Sequence, residues 1–153
     1  MNILVTLNRN YLRQLEVLIH SMLISNPKVN FEFYVISKDL TDFDLEELKK
    51  RIDSDAVCFH HLFFDDSLLQ GAPTSSRYPL EIYYRLFAAK VLPESVSRIL
   101  YLDSDIVVIN CLQELYGTDF EDAYFVGATH VRNFLRNLNR IRCKAKKNSH
   151  YLN

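Results

Sequence analysis

Short apolar runs alternate with segments of helical periodicity along this chain, and the alternation restricts the fold more than any other feature. The first run, residues 3–7, is followed by apolar side chains at helical spacing until Asn26 and Pro27 interrupt them. The same signals predict a strand running into Asp103, further strands at 31–37, 56–64 and 124–129, and helices at 41–52, 80–92 and 112–116. Strands and helices in this order predict an α/β fold with a mostly parallel sheet and flanking helices.

Two carboxylates, Asp103 and Asp105, stand one residue apart at the end of an apolar stretch that begins near Arg98. If the strand continues through them, their side chains project to the same side, because successive residues of a strand alternate faces. One hard divalent cation can bridge carboxylates in that arrangement, and parallel strands end where ligands bind. The pattern therefore predicts a divalent-metal site, and the alternative is a polar strand end that turns through Ser104.

Composition limits the classes of partner. The 18 Lys and Arg residues nearly balance the 19 Asp and Glu residues, giving a formal net charge of −1, so we expect no nucleic acid partner. Only 3 Gly residues are present, too few for a glycine-rich phosphate-binding loop. Any bound phosphate must therefore be held by a metal ion or by Arg and Lys side chains.

The cysteines and the first residues of the chain favour a cytoplasmic protein. Cys58, Cys111 and Cys143 are far apart and form no paired motif, so we predict free, buried thiols in a reducing compartment. Residues 1–5 run directly into a strand pattern without a signal peptide, and no apolar run is long enough to cross a bilayer.

Several polar residues are predicted to have structural roles. Thr41 and Asp44 form a capping-box pattern, with Asp in place of the usual Glu, at the start of the second helix. His20 lies on or near the apolar face of the first helix, and His60 and His61 alternate across a strand. None of these histidines is predicted to bind a ligand.

The last part of the chain is strongly basic, because no acidic residue follows Asp122. The basic residues of this stretch are Arg132, Arg136, Arg140, Arg142, Lys144, Lys146 and Lys147. They could grip a diphosphate, rest on an anionic membrane surface at the inner face of the membrane, or form a solvated helix face and a frayed terminus.

Four linked motifs occur in a characteristic order. They are Val-Thr-Leu-Asn-Arg-Asn-Tyr at 5–11, Arg-Tyr-Pro at 77–79, Tyr-Tyr-Arg-Leu at 83–86 and Leu-Tyr-Leu-Asp-Ser-Asp at 100–105. In these motifs the chain resembles glycosyltransferase family 8, which includes bacterial lipopolysaccharide galactosyltransferases and glycogenin. The resemblance implies a nucleotide-diphospho-sugar transferase fold of the GT-A, Rossmann-like type. It also implies a UDP-sugar donor, Mn²⁺ or Mg²⁺, and retaining transfer of a hexose to a glycan, lipid-linked or protein acceptor.

The resemblance assigns roles to individual residues. Asp103 and Asp105 would hold the metal, which bridges the donor phosphates, and the backbone of Ser104 would lie against the ribose. Arg85 and Asn153 would contact the donor sugar. The nucleoside pocket would be formed by Thr6, Leu7, Asn8, Asn10 and Tyr11. Taken without the resemblance, that last segment is typical of a helix start capped by Asn.

The chain departs from the family pattern in two ways. Asn8 stands where members commonly carry Asp, and nothing follows Asn153, where the family continues into its acceptor-binding half and a late His of the metal site. The spacing favours neither His130 nor His150 as a substitute for that His. We therefore expect residues 1–153 to be the donor-binding N-terminal part of an incomplete domain, with uncovered apolar surface that promotes self-association.

Two alternatives to a complete transferase stay open at this point. One is a truncated module that binds UDP or a UDP-sugar without turnover. The other is a phosphotransferase of the haloacid-dehalogenase type, which also uses Asp-x-Asp after an apolar strand. Such enzymes place the motif on the first strand, whereas three predicted strands precede Asp103 here.

Overall fold

Four parallel strands form the sheet in the order β3-β2-β1-β4. They are β1 (Asn2–Thr6), β2 (Phe31–Ile36), β3 (Val57–Leu62) and β4 (Leu100–Tyr101). The computed structural model describes residues 1–74 and 80–127. From β1 the chain runs outward through β2 to β3 and then returns to the other side of β1 as β4, so the direction of winding reverses between β1 and β4. This topology confirms the predicted α/β fold with a parallel sheet.

Two helices and two apolar clusters cover the sheet. Helix α1 (Leu12–Ser25) buries Leu15, Leu18, Ile19 and Met22, and helix α2 (Asp42–Ile52) buries Leu45, Leu48 and Ile52. Both pack against one strand face, on which Phe31, Phe33 and Val35 lie. The intervening residues Tyr34 and Ile36 join Leu4, Phe64, Leu69 and Tyr84 in a second cluster. Alternate strand residues thus supply two separate cores, as period-two alternation requires.

The start of α2 is the predicted capping box. The Thr41 amide donates to Asp44 Oδ2 at 2.8 Å, and the Asp44 amide donates to Thr41 Oγ1 at 3.4 Å. The Thr41 hydroxyl also donates to Asp44 Oδ2 at 2.6 Å, and this bond, followed by the bond from the Thr41 amide, holds the pKa of the Asp44 carboxyl below its usual value. The helix ends at Asp53, which has φ of 48°.

Two predicted elements differ in the structure. Residues predicted as one helix form a 3₁₀ helix (Leu80–Phe87) and a single turn, α3 (Ala88–Val91). The 3₁₀ helix buries Tyr84, and its aromatic residues favour an α-helix only weakly. The strand predicted from residue 124 is wrong over 124–127, which contain no strand, and its last residues lie outside the described part. Helix α4 (Gln113–Tyr116) is close to its predicted position.

Two predictions of burial are wrong. Cys58 and Cys111 are exposed, because Cys58 lies on the edge strand β3 and Cys111 on an irregular segment before α4. His20, predicted to lie on or near the apolar face of the first helix, is exposed. Cys143, the basic stretch and Asn153 lie outside the described residues, and the incompleteness of the 1–153 domain stays a prediction.

The chain divides into two compact units, Met1–Gly117 and Thr118–Asn153, and the sheet belongs entirely to the first. Within the described ranges, no helix has the length and apolar character needed to cross a membrane.

Candidate functional site

The segments that follow β1 and β4 meet at one edge of the sheet. β1 pairs in parallel with β4, with Leu4 opposite Tyr101, so the residues after both strands leave the sheet on the same side. Thr6 Oγ1 lies 3.4 Å from the Tyr101 hydroxyl. This is the position between oppositely wound halves at which open α/β sheets bind ligands.

Tyr101 and Arg85 converge on one carboxylate oxygen. The Tyr101 hydroxyl donates to Asp103 Oδ1 at 2.7 Å, and Arg85 Nη1 donates to the same oxygen at 3.3 Å. The guanidinium of Arg85 lies 4.7 Å from the centre of the Tyr101 ring, and Arg85 Nε donates to the Ile82 carbonyl at 3.0 Å. Tyr101 therefore links Thr6, Arg85 and Asp103 in a single cluster.

The environment keeps Tyr101 neutral. Burial of the phenol, and next its hydrogen bond to Asp103, raise the pKa of Tyr101 to about 12. The hydroxyl is consequently a hydrogen-bond donor at neutral pH. The Asp103 side chain remains 55% exposed and can still reach a ligand from solvent.

The Asp-x-Asp segment lies in a turn, which corrects the predicted strand geometry. β4 ends at Tyr101, and Ser104 and Asp105 form a turn, so strand alternation does not place Asp103 and Asp105 on one side. The strand is short because its ladder with β1 consists of only two residue pairs. Ser104 is buried and Asp105 exposed, which leaves both carboxylates accessible.

Hydrogen bonds to the rest of the fold fix the chain on both sides of this turn. Before it, Asn2 Nδ2 donates to the Arg98 carbonyl at 3.1 Å. After it, the Val108 amide donates to Ser21 Oγ at 2.9 Å, and the Leu112 amide donates to Oδ1 of buried Asn26 at 2.7 Å. The turn that carries the carboxylates is thus held between β1 and α1.

The two carboxylates suit Mn²⁺ or Mg²⁺ by their chemistry, because hard cations prefer oxygen ligands. In the described part of the chain, no third His, Cys, Asp or Glu ligand atom joins them within reach of one ion. Water and the donor's own phosphate oxygens could supply further ligands, which is common for Mg²⁺.

The predicted nucleoside segment follows β1 as a short 3₁₀ helix (Arg9–Tyr11). Asn8 caps it, because Asn8 Oδ1 accepts a hydrogen bond from the Asn10 amide at 3.1 Å. A helix start capped by Asn is what the residue pattern predicts when the family resemblance is left aside. Leu7 is buried, whereas Asn10 is exposed and Tyr11 is 40% exposed. The segment therefore offers an amide and an aromatic ring face at the same sheet edge as Asp103.

Asp39, in the loop after β2, holds this segment in place through hydrogen bonds with Arg9. The Arg9 amide donates to both carboxylate oxygens of Asp39 at 3.1 Å, and Arg9 Nη2 reaches the Asp39 carbonyl at 3.0 Å and Asp44 Oδ2 at 2.7 Å. Ser37 Oγ in turn donates to Asp39 Oδ1 at 3.0 Å. The path of the nucleoside segment is thus set by the chain after β2.

The sequence prediction missed Tyr101 and Asp39. Tyr101 could have been found, because it precedes Asp103 by two residues and strand alternation favours the same face. Asp39 carries the weaker signal of an acidic residue just after a strand. Of the predicted site residues, the structure brings together Thr6, Arg85 and Asp103, while Asn153 and residues 77–79 lie outside the described part.

An open groove of about 790 Å³ runs along α1, and Asn10 of the nucleoside segment is one of its lining residues. It is lined by Arg9, Asn10, Leu12, Arg13, Glu16, Val17, His20 and Arg51. Arg85, Tyr101 and Asp103 are not among these residues, so the candidate site is the strand edge and not the groove.

Comparison with known proteins identifies relatives of the whole chain. The sequence model of glycosyl transferase family 8 matches residues 2–153. The lipopolysaccharide 1,2-glucosyltransferase of Escherichia coli is 32% identical over 119 residues, which are 77% of this chain and 35% of that protein. Glycosyltransferase GlyF of Streptococcus pneumoniae serotype 4 is 29% identical over 127 residues, 83% of this chain and 31% of that protein. The aligned part thus spans about a third of these relatives' length.

Solved structures share the fold. The galactosyltransferase LgtC, crystallised with donor and acceptor sugar analogs, superposes on 100% of this chain and 55% of its own, with a TM-score of 0.85 and 20% identity. The glycosyltransferase GlyE of Streptococcus pneumoniae TIGR4 covers 83% of this chain and 29% of its own, with a TM-score of 0.62 and 19% identity. Together with the parallel sheet, these similarities confirm the GT-A, Rossmann-like fold of a nucleotide-sugar transferase.

Proposed function

The chain belongs to glycosyl transferase family 8, and on this premise we propose that it carries the donor-binding part of a metal-dependent, retaining hexosyltransferase. The donor would be a UDP-sugar and the acceptor a glycan, a lipid-linked sugar or a protein. The observation that carries the proposal is the cluster in which Tyr101 and Arg85 both donate to Asp103 Oδ1, beside the segment that follows β1.

Asp103 and Asp105 would hold Mn²⁺ or Mg²⁺, whose charge when bound neutralises the diphosphate of the donor. Tyr101 orients the Asp103 carboxylate by occupying Oδ1, so the exposed carboxylate presents its other oxygen outward. Arg85 has five N–H donors, of which Nε and one on Nη1 are already used, and the rest can bind a phosphate or sugar oxygen. The chain's own residues therefore supply both anionic and cationic contacts for a diphosphate-linked sugar.

The base and ribose would be recognised by the segment after β1 and by Ser104. Asn8 uses its carbonyl oxygen as a cap, which leaves its amide N–H groups to donate to a uracil carbonyl. Tyr11 offers a partly exposed ring for stacking, and Thr6, Leu7 and Asn10 complete the pocket. The side chain of Ser104 is buried, which supports a ribose contact through its backbone. Asn153 would contact the donor sugar.

The location and surface contacts proposed for the protein rest on the sequence. We place the transferase in the cytoplasm, with the basic stretch after Asp122 contacting anionic lipid headgroups of the inner membrane face. We also propose that the protein self-associates through uncovered apolar surface of the unit Met1–Gly117.

Calorimetric titration of the chain with UDP tests donor binding, with Mn²⁺ present and after chelation. We expect binding that requires Mn²⁺ and is lost in Asp103→Ala and Asp105→Ala, while Asp55→Asn, a change at another exposed carboxylate, leaves the affinity unchanged. Equal affinity in the presence of chelator would remove the metal from the proposal.

Product analysis separates the proposal from its two alternatives. Release of UDP together with glycoside formation supports transfer, and UDP binding without either product identifies a binding module. Trapping of a phosphate analogue on Asp103 would favour the phosphotransferase, although Asp103 follows the fourth strand and not the first.

A further inference from the structure

Glu32, Cys58 and His60 form a second group of ligand-type side chains, remote from the carboxylates after β4. Glu32 lies near the start of β2 and is paired in register with Cys58 on β3, while Tyr34 is paired with His60. Residues two apart on a strand share a face, so the three side chains emerge on the same side of the sheet. They lie toward the starting ends of their strands, whereas Asp103 follows the finishing end of β4.

We propose that Glu32, Cys58 and His60 bind a divalent ion of the Zn²⁺ type. Their ligand atoms all lie within 4.8 Å of one another, and theirs is the sole group of three such side chains this close within residues 1–74 and 80–127. A thiol, an imidazole and a carboxylate are the donor set of a borderline-soft metal, whereas Mn²⁺ and Mg²⁺ prefer oxygen alone.

The distances require only small side-chain movements. Bonds of about 2.0–2.3 Å to a tetrahedral ion place ligand atoms about 3.3–3.8 Å apart. Glu32 Oε2 and His60 Nε2 are 2.7 Å apart, so this pair must separate by about 1 Å. Every pair lies within 4.8 Å, so no pair has to approach by more than about 1.5 Å. Both side chains of the pair are about 40% exposed, which leaves them room to move.

The surroundings orient the imidazole and leave one coordination position to solvent. The His60 ring stacks on the buried Tyr34 ring, with centroids 4.7 Å apart and planes at 19°, so Tyr34 limits the directions in which the imidazole can point. Cys58 is exposed, and the fourth position of a tetrahedral ion would therefore be open to water.

The charges of the group favour a divalent cation. A glutamate carboxyl is ionised at neutral pH, and a thiol that coordinates a metal ion loses its proton outright. A carboxylate and a thiolate together neutralise the two charges of the ion.

Titration of the reduced chain with Co²⁺ alone, in a phosphine reductant that leaves thiols free, tests the site. We expect one ion per chain, a thiolate-to-cobalt charge-transfer absorption band, and displacement of Co²⁺ by Zn²⁺. Because loss of a residue that merely supports a metal ligand costs about 10–100-fold in affinity, Cys58→Ser and His60→Gln should weaken binding by at least about tenfold. Cys58→Ser should also abolish the band.

The chain offers matched controls for both variants. His61→Gln changes the adjacent histidine, which pairs with Asp42 on the other side of the strand, and Cys111→Ser changes the other exposed cysteine within the described residues. Both should retain the band and the affinity of the parent. Absence of a thiolate band in the parent, loss of the band in Cys111→Ser, or parent-like affinity in both Cys58→Ser and His60→Gln would overturn the proposal.

A cross-test separates this site from the donor site. The double change Asp103→Asn with Asp105→Asn should leave the cobalt band intact, and Cys58→Ser should leave Mn²⁺-dependent UDP binding intact. If the double change removes the band, the ion lies at the carboxylates after β4 and the Glu32, Cys58 and His60 site is refuted. Failure of UDP binding in the parent would affect the proposed function alone.

Discussion

The Tyr101 hydroxyl donates a 2.7 Å hydrogen bond to Asp103 Oδ1, two residues further along the chain. Tyr101 is the last residue of β4, so the bond ties the first carboxylate of Asp-x-Asp to the end of the sheet. Arg85, on the 3₁₀ helix Leu80–Phe87, donates to the same oxygen, and its guanidinium lies over the Tyr101 ring. The position of Asp103 is thus determined by the sheet and by the helix that precedes β4.

Replacement of Tyr101 by Phe should weaken Mn²⁺-dependent UDP binding without unfolding the chain. The ring and its packing remain, while the hydroxyl's contacts with Asp103 and Thr6 are lost. The lost hydrogen bond to Asp103 is worth about 1 kcal/mol or roughly fivefold in Kd. Calorimetric titration measures the Kd, and Tyr124→Phe, a change at an exposed tyrosine, is the control. A Kd equal to that of the parent would show that Tyr101 does not position the metal ligand.

Arg85→Lys should keep the positive charge but lose the planar fork of N–H donors. Lysine has no guanidinium to stack on the Tyr101 ring or to donate to the Ile82 carbonyl and Asp103 together. We expect UDP-sugar affinity to fall by about tenfold, the effect of about 1.4 kcal/mol. Arg13→Lys on the exposed side of α1 should bind like the parent. Equal affinity in both variants would exclude Arg85 from the donor contacts.

Local patterns in the sequence predicted the elements of this fold better than the details of its site. The periodicity of α1 and the capping box of Thr41 and Asp44 are short-range signals, and both elements form as predicted. The end of β4 at Tyr101 was not predictable, because β1 continues through Val5 and Thr6 beyond the last residue pair that the two strands form. A strand signal alone extended through Asp105, whereas the backbone turns at Ser104.

Contacts across strands account for most of what the sequence did not show. The group of Glu32, Cys58 and His60 depends on the register between β2 and β3, and a shift of one residue would move one strand's side chains to the opposite face. Register is a property of two segments that are distant in sequence. The link from Thr6 through Tyr101 to Arg85 is of the same kind, since it joins three separate elements.

Two substitutions at Asn8 should separate its capping role from its proposed contact with the base. Asp caps a helix as well as Asn does, so Asn8→Asp should keep the stability of the chain and change only UDP affinity. Asn8→Ala removes the acceptor for the Asn10 amide and should lower UDP affinity by about 1–3 kcal/mol. Denaturant unfolding reports the cap, and titration with UDP reports the base contact. If both variants bind UDP like the parent, the segment after β1 does not hold the nucleoside.

Thr41→Ala should lower the free energy of unfolding of the unit Met1–Gly117 by about 1 kcal/mol at pH 7, the usual cost of losing an N-cap side chain. The change removes two hydrogen bonds of the Thr41 hydroxyl, which accepts from the Asp44 amide and donates to Asp44 Oδ2 at 2.6 Å. The pKa of Asp44 is lowered in the folded chain by these bonds, so its contribution to stability is present above the unfolded pKa and is lost as the pH falls through the folded one.

The difference in stability between parent and Thr41→Ala should therefore narrow when denaturant unfolding is repeated well below the unfolded pKa of an aspartate. Asp42→Asn is the control for charge at the start of α2, because Asp42 pairs with His61 and lies outside the capping box. A difference between parent and Thr41→Ala that stays constant from neutral to acid pH would show that the bonds from Thr41 to the Asp44 carboxyl do not stabilise the folded chain through its charge.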